Sequence, residues 1–534
     1  MPPMSFSSVR PALEPNFNRA TDRSRAVFFI VSILAYVAAM IAATLALHPY
    51  FSQTWDVATF IHAAQTFADD AHGFDLYAQS RAAQTWPYAY PPLHAFVTAL
   101  ALGIGAVFPV LPDYVWARAP MIAADIGVAL VLYRIVRRKT ADETLARTAL
   151  LLWLFNPLTF YDTAVQGHFE SEWLVFVLLA FEWFEQDRHP ALPALALAVA
   201  FLFKQIAIVF MLPVFVAWAH RWLVKRTIQL PNLLLAALTF ALVIGGVCLP
   251  FLLYSDDFWF MNLTYVENVP VQTQSWLVAV LGVTRATPNA LASDFILLRH
   301  QTSVTMLATL IAAFVAARRG WSVYLAATVI ALIFFLTSKK VMGYYYVMLF
   351  PFLFAEILPR RQTQLAGIAL SATTYIALSP YYAAWTNHAH WWTYAILGSL
   401  NSAFFVWLGW QLLRRQNFAA GNLRAASVLA LGLFAGAVGA ALAQPLVASA
   451  TSPIRAPIVA PGAELNAMVA FGGVLALIVL TLGGAMHATR AWAMRAPAWI
   501  FGVPLLFAPL FFSIYTLTKE STAIFEIALK ALGV

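Results

Sequence analysis

Charge is scarce in this chain and cysteine nearly absent. Asp, Glu, Lys and Arg together make up 10% of 534 residues, and Cys248 is the only thiol. A single cysteine excludes an intrachain disulfide, and Cys248, set inside an apolar run, reads as packing. So few charges cannot cover the surface of a soluble domain of this length. No internal repeat stands out. Gly103-Ile104-Gly105 lacks a third glycine and a strand before it, so it is no nucleotide-binding fingerprint. What is present is apolar: 62% hydrophobic residues and a mean hydropathy of +0.75. They fall in long runs broken by short polar loops, and about 20 apolar residues suffice to span a bilayer. The fold class is therefore an all-α polytopic membrane protein.

The net charge is +8, and its placement assigns it to orientation, not to nucleic acid. Lys and Arg gather in alternate loops: Arg134 to Arg147, His220 to Arg226, Arg318-Arg319, Arg360-Arg361, Arg414-Arg415 with Arg424, and Arg490 with Arg495. Such clusters mark cytoplasmic loops. They put the N-terminal tail, residues 1–25, in the cytoplasm, with 26–47 as an uncleaved first span. The outer side then receives loops 49–114, 160–172, 252–302, 338–343, 380–392 and 445–464. About 13–15 spans are expected, the last of them near 363–379, 393–412, 425–444, 465–487 and 498–518. Residues 93–110 are apolar enough to cross, yet crossing would put the 134–147 cluster outside. An interfacial or re-entrant helix is expected there, and 57–70 reads as an amphipathic helix on the same face.

Polar clusters on the outer side carry the candidate chemistry. Asp56 opens the amphipathic helix, where it can serve the helix N-terminus and also act as a general base. Asp69, Asp70 and Asp75 read as solvated loop charges, with Asp69-Asp70 open to a cation. The loop closes on Trp86-Pro87-Tyr88-Ala89-Tyr90-Pro91-Pro92. Tyr161 to Glu172 brings Asp162, His168, Glu170 and Glu172 close to lipid, which is costly unless they pair, face water or bind something. Lys204 and Gln205 follow Phe203 between two short spans. Lys204 either snorkels or neutralises an anionic phosphate. Lys339 and Lys340 lie outside against the positive-inside bias, followed by Tyr344 to Tyr346, and Arg299 adds another outer cation. No metal site is indicated by spacing, although a divalent cation is compatible.

These stretches together resemble the GT-C class of membrane glycosyltransferases, which use polyprenyl-phosphate sugars. Asp56, Tyr90-Pro91-Pro92-Leu93, Gly167-His168-Phe169 and Phe203-Lys204-Gln205 are similar to motifs of the dolichyl-phosphate-glucose glucosyltransferases. The pattern from Asn156 to Ser171, with Thr337-Ser338, is similar to the first mannosyltransferase of glycolipid-anchor assembly. The order from Asp56 to Pro92 is similar to bacterial polyprenyl-phosphate-mannose mannosyltransferases. The likeness covers roughly residues 26–360. It departs at Ala89, where those families carry Asp, at Ser338-Lys339-Lys340, and in lacking an Asp-X-Asp motif at Asp56.

The resemblance implies a GT-C-like module over residues 26–362, followed by further spans of unknown role over 363–534. It implies an inverting hexose transfer, of mannose or glucose, from a polyprenyl-phosphate donor to a glycan or glycolipid acceptor on the outer or lumenal face, with no cofactor. Asp56 would activate the acceptor. Lys204, Lys339, Lys340 and Arg299 would hold the donor phosphate. His168, Glu170, Gln205, Tyr90 and Tyr344 would position substrate. The partners expected are donor, acceptor and membrane lipid, in a bacterial plasma membrane in preference to endoplasmic reticulum. A transporter or flippase, and an inactive scaffold of glycan assembly, are the alternatives. Polar clusters at one face without repeated halves speak against the transporter.

Overall fold

The computed structural model describes residues 19–47, 54–69, 71–82, 87–265, 273, 275–277, 300–378 and 391–414. Arg299, Asp70 and the expected spans beyond 415 lie outside the described residues. Those residues form an all-α membrane bundle. The helices are α1 (Arg19–Leu47), α2 (Thr54–Ala68), α3 (Leu76–Ala82), α4 (Leu93–Val107), α5 (Asp113–Trp116), α6 (Ala119–Thr140), α7 (Glu143–Leu154), α8 (Pro157–Phe160) and α9 (Glu170–Glu185). They continue with α10 (Ala191–Phe203), α11 (Ala207–Leu223), α12 (Leu230–Tyr254) and α13 (Asp257–Trp259). After the loop come α14 (Gln301–Arg319), α15 (Val323–Thr337), α16 (Leu349–Ile357), α17 (Thr363–Leu378) and α18 (Trp391–Arg414).

The basic clusters of separate loops converge at one end. Arg25 and Arg147 both reach Glu143, Arg138 and Lys139 reach Glu185, Arg361 reaches Asp142, and Arg221 reaches Asp187. Asp56, His168, Lys204 and Lys340 gather at the other, the site end. The alternation read from loop charge is thus the alternation of helix direction.

Among the described residues, four helical stretches are long and apolar enough to cross a membrane: Arg25–Leu45, Asp113–Thr140, Leu230–Tyr254 and Gln301–Arg319. The other described apolar helices are shorter. α10 has 13 residues and α7 has 12, or about 18–20 Å at 1.5 Å per residue, against a hydrocarbon core of about 30 Å. Their lengths have local causes. Asn156 accepts the Leu158 backbone N–H and Pro157 occupies the first helical position, so a new short helix starts where the run at 147–162 would have continued. Lys204 turns extended, at φ −155° and ψ 129°, and ends α10. Several short helices end at the polar site, which cuts into the bundle.

The outer loop carries the two expected helices, α2 and α4, with the short α3 between them and α5 beginning at its end. α2 packs against α4, and both rest on an aromatic-rich cluster of Phe60, Tyr77, Tyr88, Phe169, Phe251 and Phe258. α4 begins where His94 bonds Glu172, and its Gly105 lies against Trp116. Leu100, Ile104 and Val107 stay exposed along it.

Candidate functional site

The site is built on Gly167. Its backbone is left-handed (φ 65°), which only glycine adopts without strain. A Cβ there would lie 2.3 Å from Val57 Cγ2 and 2.9 Å from an Arg118 guanidinium nitrogen. This close approach docks the first turn of α2 onto the π-helical turn Tyr161–Gln166, which brings Asp56 to the residue after the glycine. Asp56 Oδ2 sits 3.0 Å from His168 Nε2. The His168 ring is buried and stacks on Tyr344 at 3.7 Å between centroids. The carboxylate is 35% exposed, so one side faces the imidazole and the other an opening.

Asp56 occupies the first turn of α2, where a negative charge is stabilised by the helix dipole. Burial pushes its carboxyl up, but His168, Lys340 and Lys204 outweigh that and hold it below its ordinary value. Burial also lowers the His168 imidazole, against the pull of Asp56. Near neutral pH the ring is uncharged, with Nε2–H donating to Asp56. That leaves Nδ1 a bare acceptor, which is buried without a hydrogen-bond partner.

Lys204 has a different setting from that of an open phosphate ligand. Its ammonium forms a buried ion pair with Glu170. It also lies 4.8 Å from the Tyr345 ring centroid, 5.0 Å from Phe169, 5.3 Å from Tyr90 and 5.8 Å from Tyr344. Burial alone would lower its pKa; Glu170 and the neighbouring Tyr345 reverse that and raise it. Glu170 is held from its other side by Trp173 Nε1, at 2.7 Å. Gln205 donates to two backbone carbonyls, of Ala89 at 2.8 Å and of Asn262 at 3.2 Å, and so straps the outer loop to the segment after α12.

Lys340 is the contrasting cation. It is half-buried, and no carboxylate lies within ion-pair distance of its amine among the described residues. Burial and the nearby Lys204 lower its pKa to about 8, against the attraction of Asp56 and Glu170. Lys339 beside it is buried and already engaged. The structure therefore brings Asp56, His168, Glu170, Lys204, Tyr90, Tyr344 and Lys340 to one place, with Gln205 at its edge. Asp69 accepts the Ala71 N–H in an exposed turn, as a loop charge should. Among the described residues no three His, Cys, Asp or Glu side chains meet as a metal site.

Two polar elements escaped the sequence reading. His94 Nδ1 lies 2.8 Å from Glu172 Oε2, and its ring stacks on Phe169 at 3.9 Å. Asp125, the seventh residue of α6, accepts hydrogen bonds from Tyr36 (2.5 Å), Thr163 (2.8 Å) and Ser171. A carboxylate inside an apolar run was itself a signal, since membrane carboxylates pair or function.

Residues 26–282 match the family described as GPI transamidase subunit PIG-U. The chain is similar to that family over just under half its length. None of the curated proteins compared matches it. The matched stretch contains Asp56, Tyr90, His168, Glu170, Lys204 and Gln205, and ends before Lys339, Lys340 and Tyr344.

Proposed function

We propose that the chain is a GT-C-like glycosyltransferase that moves a hexose from a polyprenyl-phosphate sugar to a glycan or glycolipid acceptor at the site end of the bundle. The observation that carries the reading is the pairing of a partly open, histidine-bonded carboxylate, Asp56, with Lys340, an amine that has no carboxylate within ion-pair distance among the described residues. Asp56 takes the proton of the acceptor hydroxyl as that oxygen attacks the anomeric carbon. The carbon–oxygen bond to the lipid phosphate breaks on the opposite face, so the anomeric configuration inverts. Lys340 receives the charge that develops on the leaving phosphate, worth about 3–4 kcal/mol for a well-aimed contact in a dry site. His168 fixes the Asp56 carboxylate and keeps it ionised. The Lys204–Glu170 pair holds the aromatic wall of Tyr90, Phe169, Tyr344 and Tyr345 in place. The test is transfer by the purified full-length protein in proteoliposomes, with polyprenyl-phosphate mannose and glucose as donors. Asp56→Asn is expected to lower turnover about 10²-fold or more, and undiminished turnover by a folded variant removes the base.

A second reading follows from the similarity over residues 26–282. In it the chain is a glycolipid-binding subunit of a larger membrane assembly of the GPI transamidase kind, and the same cavity holds a lipid-linked glycan without breaking it. Under this reading lipid phosphate binds with the Lys340 dependence described below, while wild type and Asp56→Asn alike form no product.

A further inference from the structure

A cavity lies on the same helix as Asp56, further along it. It measures about 350 Å³ and is lined by His62, Thr66, Asp69, His72, Gln79 and Ala82. His62 and Thr66, four residues apart, share one face of α2, and Asp69 follows directly after its last residue. His72 comes from the turn after α2, and Gln79 and Ala82 from α3. His62 and Thr66 stand six and ten residues beyond Asp56, about 9 and 15 Å along the helix axis.

The lining selects a ligand class. Among its described residues there is no Lys or Arg, so it offers nothing to a phosphate. Ala82 is its one apolar side chain, so it offers little to an acyl chain. Its histidines and aspartate do not meet as a metal set. What it offers is a mixture of donors and acceptors: two imidazoles, a hydroxyl, an amide and a carboxylate. Vicinal hydroxyls, each both donor and acceptor, match such a set. The volume is at the small end of ligand pockets, the scale of a single sugar ring. His62 Nε2 is shut from solvent without a hydrogen-bond partner among the described residues, a cost that a ligand hydroxyl would remove. We propose that this cavity is a carbohydrate subsite, which holds one sugar of the acceptor glycan while a hydroxyl of another ring meets Asp56. Only the assignment of that sugar to an acceptor rests on the transfer reading; the subsite itself does not.

Saturation-transfer NMR on the full-length protein in nanodiscs tests it, with mannose, glucose, glucosamine and myo-inositol as probes, and inorganic phosphate and zinc as probes of other classes. At least one sugar or polyol is expected to bind saturably. His62→Phe, which fills the cavity, is expected to abolish the signal. Thr66→Val, which removes one hydroxyl at constant shape, is expected to weaken binding about tenfold. Asp56→Asn is expected to leave sugar binding intact, so loss of transfer and loss of the subsite remain separate results. Should His62→Phe fail to fold, Thr66→Val carries the test. Absence of saturable sugar binding, sugar binding indifferent to Thr66→Val and His62→Phe, or phosphate or zinc in place of sugar each overturns the proposal.

Discussion

Replacing Lys340 by Gln removes an amine of the site that has no ion-pair partner among the described residues, while the neighbouring Lys204–Glu170 pair stays intact. A charge-assisted hydrogen bond to phosphate contributes about 1.5–3 kcal/mol, so binding of a polyprenyl phosphate is expected to weaken by about 10- to 150-fold. The same residue sets a pH limit. Its pKa is lowered to about 8; the amine is charged below that value and loses its charge as pH rises through it. Affinity for the lipid phosphate in the wild type is therefore expected to be flat below pH 8 and to fall about tenfold per unit above it. Lys340→Arg keeps the charge at every accessible pH and is expected to abolish this alkaline limb at a modest cost in affinity. Native mass spectrometry or fluorescence titration with a polyprenyl monophosphate across pH reads both effects without requiring turnover. Equal affinity for wild type and Lys340→Gln, or an alkaline limb that persists in Lys340→Arg, refutes the assignment.

Other perturbations separate structure from chemistry. Lys204→Met strands the fully buried Glu170 without its cation, which costs about 3–5 kcal/mol. The thermal midpoint should fall, and Lys204→Met with Glu170→Leu should recover most of the loss; failure to recover would point to a direct ligand role for Lys204. Gly167→Ala forces a left-handed backbone onto alanine, about 1–2 kcal/mol, and drives a methyl into Val57 and Arg118. Faster hydrogen exchange in α2 should accompany its loss of stability. Asp125→Leu leaves the Tyr36, Thr163 and Ser171 hydroxyls without their acceptor, about 1–3 kcal/mol for each that finds no substitute. The thermal midpoint should drop, with lost exchange protection centred on residues 161–171.

Much of the architecture was legible because a bilayer imposes it. Apolar run length places spans at 232–253 and 303–317, within two residues of α12 and α14 at each end, and loop charge groups the loops that the ion pairs at the basic end join. Length failed where polar chemistry interrupts a run, because Asn156-Pro157 and Lys204 end helices that hydropathy alone extends. Asn262-Leu263-Thr264 has the form of a glycosylation acceptor, yet the Asn262 side chain is buried and donates to the Phe258 carbonyl, which spacing alone does not reveal.

Composition and order determined that this is an all-α membrane protein whose polar residues collect at one face, since greasy runs must cross or lie on the membrane and charged groups must avoid its centre. Which charges neutralise each other was decided by tertiary structure alone. Glu170 opens α9 and Lys204 follows α10, 34 positions later; only the packing of α9 beside α10 joins them, while Lys340 has no ion-pair partner among the described residues. Electrostatic partnership falls off with distance in space, and no spacing in a sequence encodes the distance across a bundle.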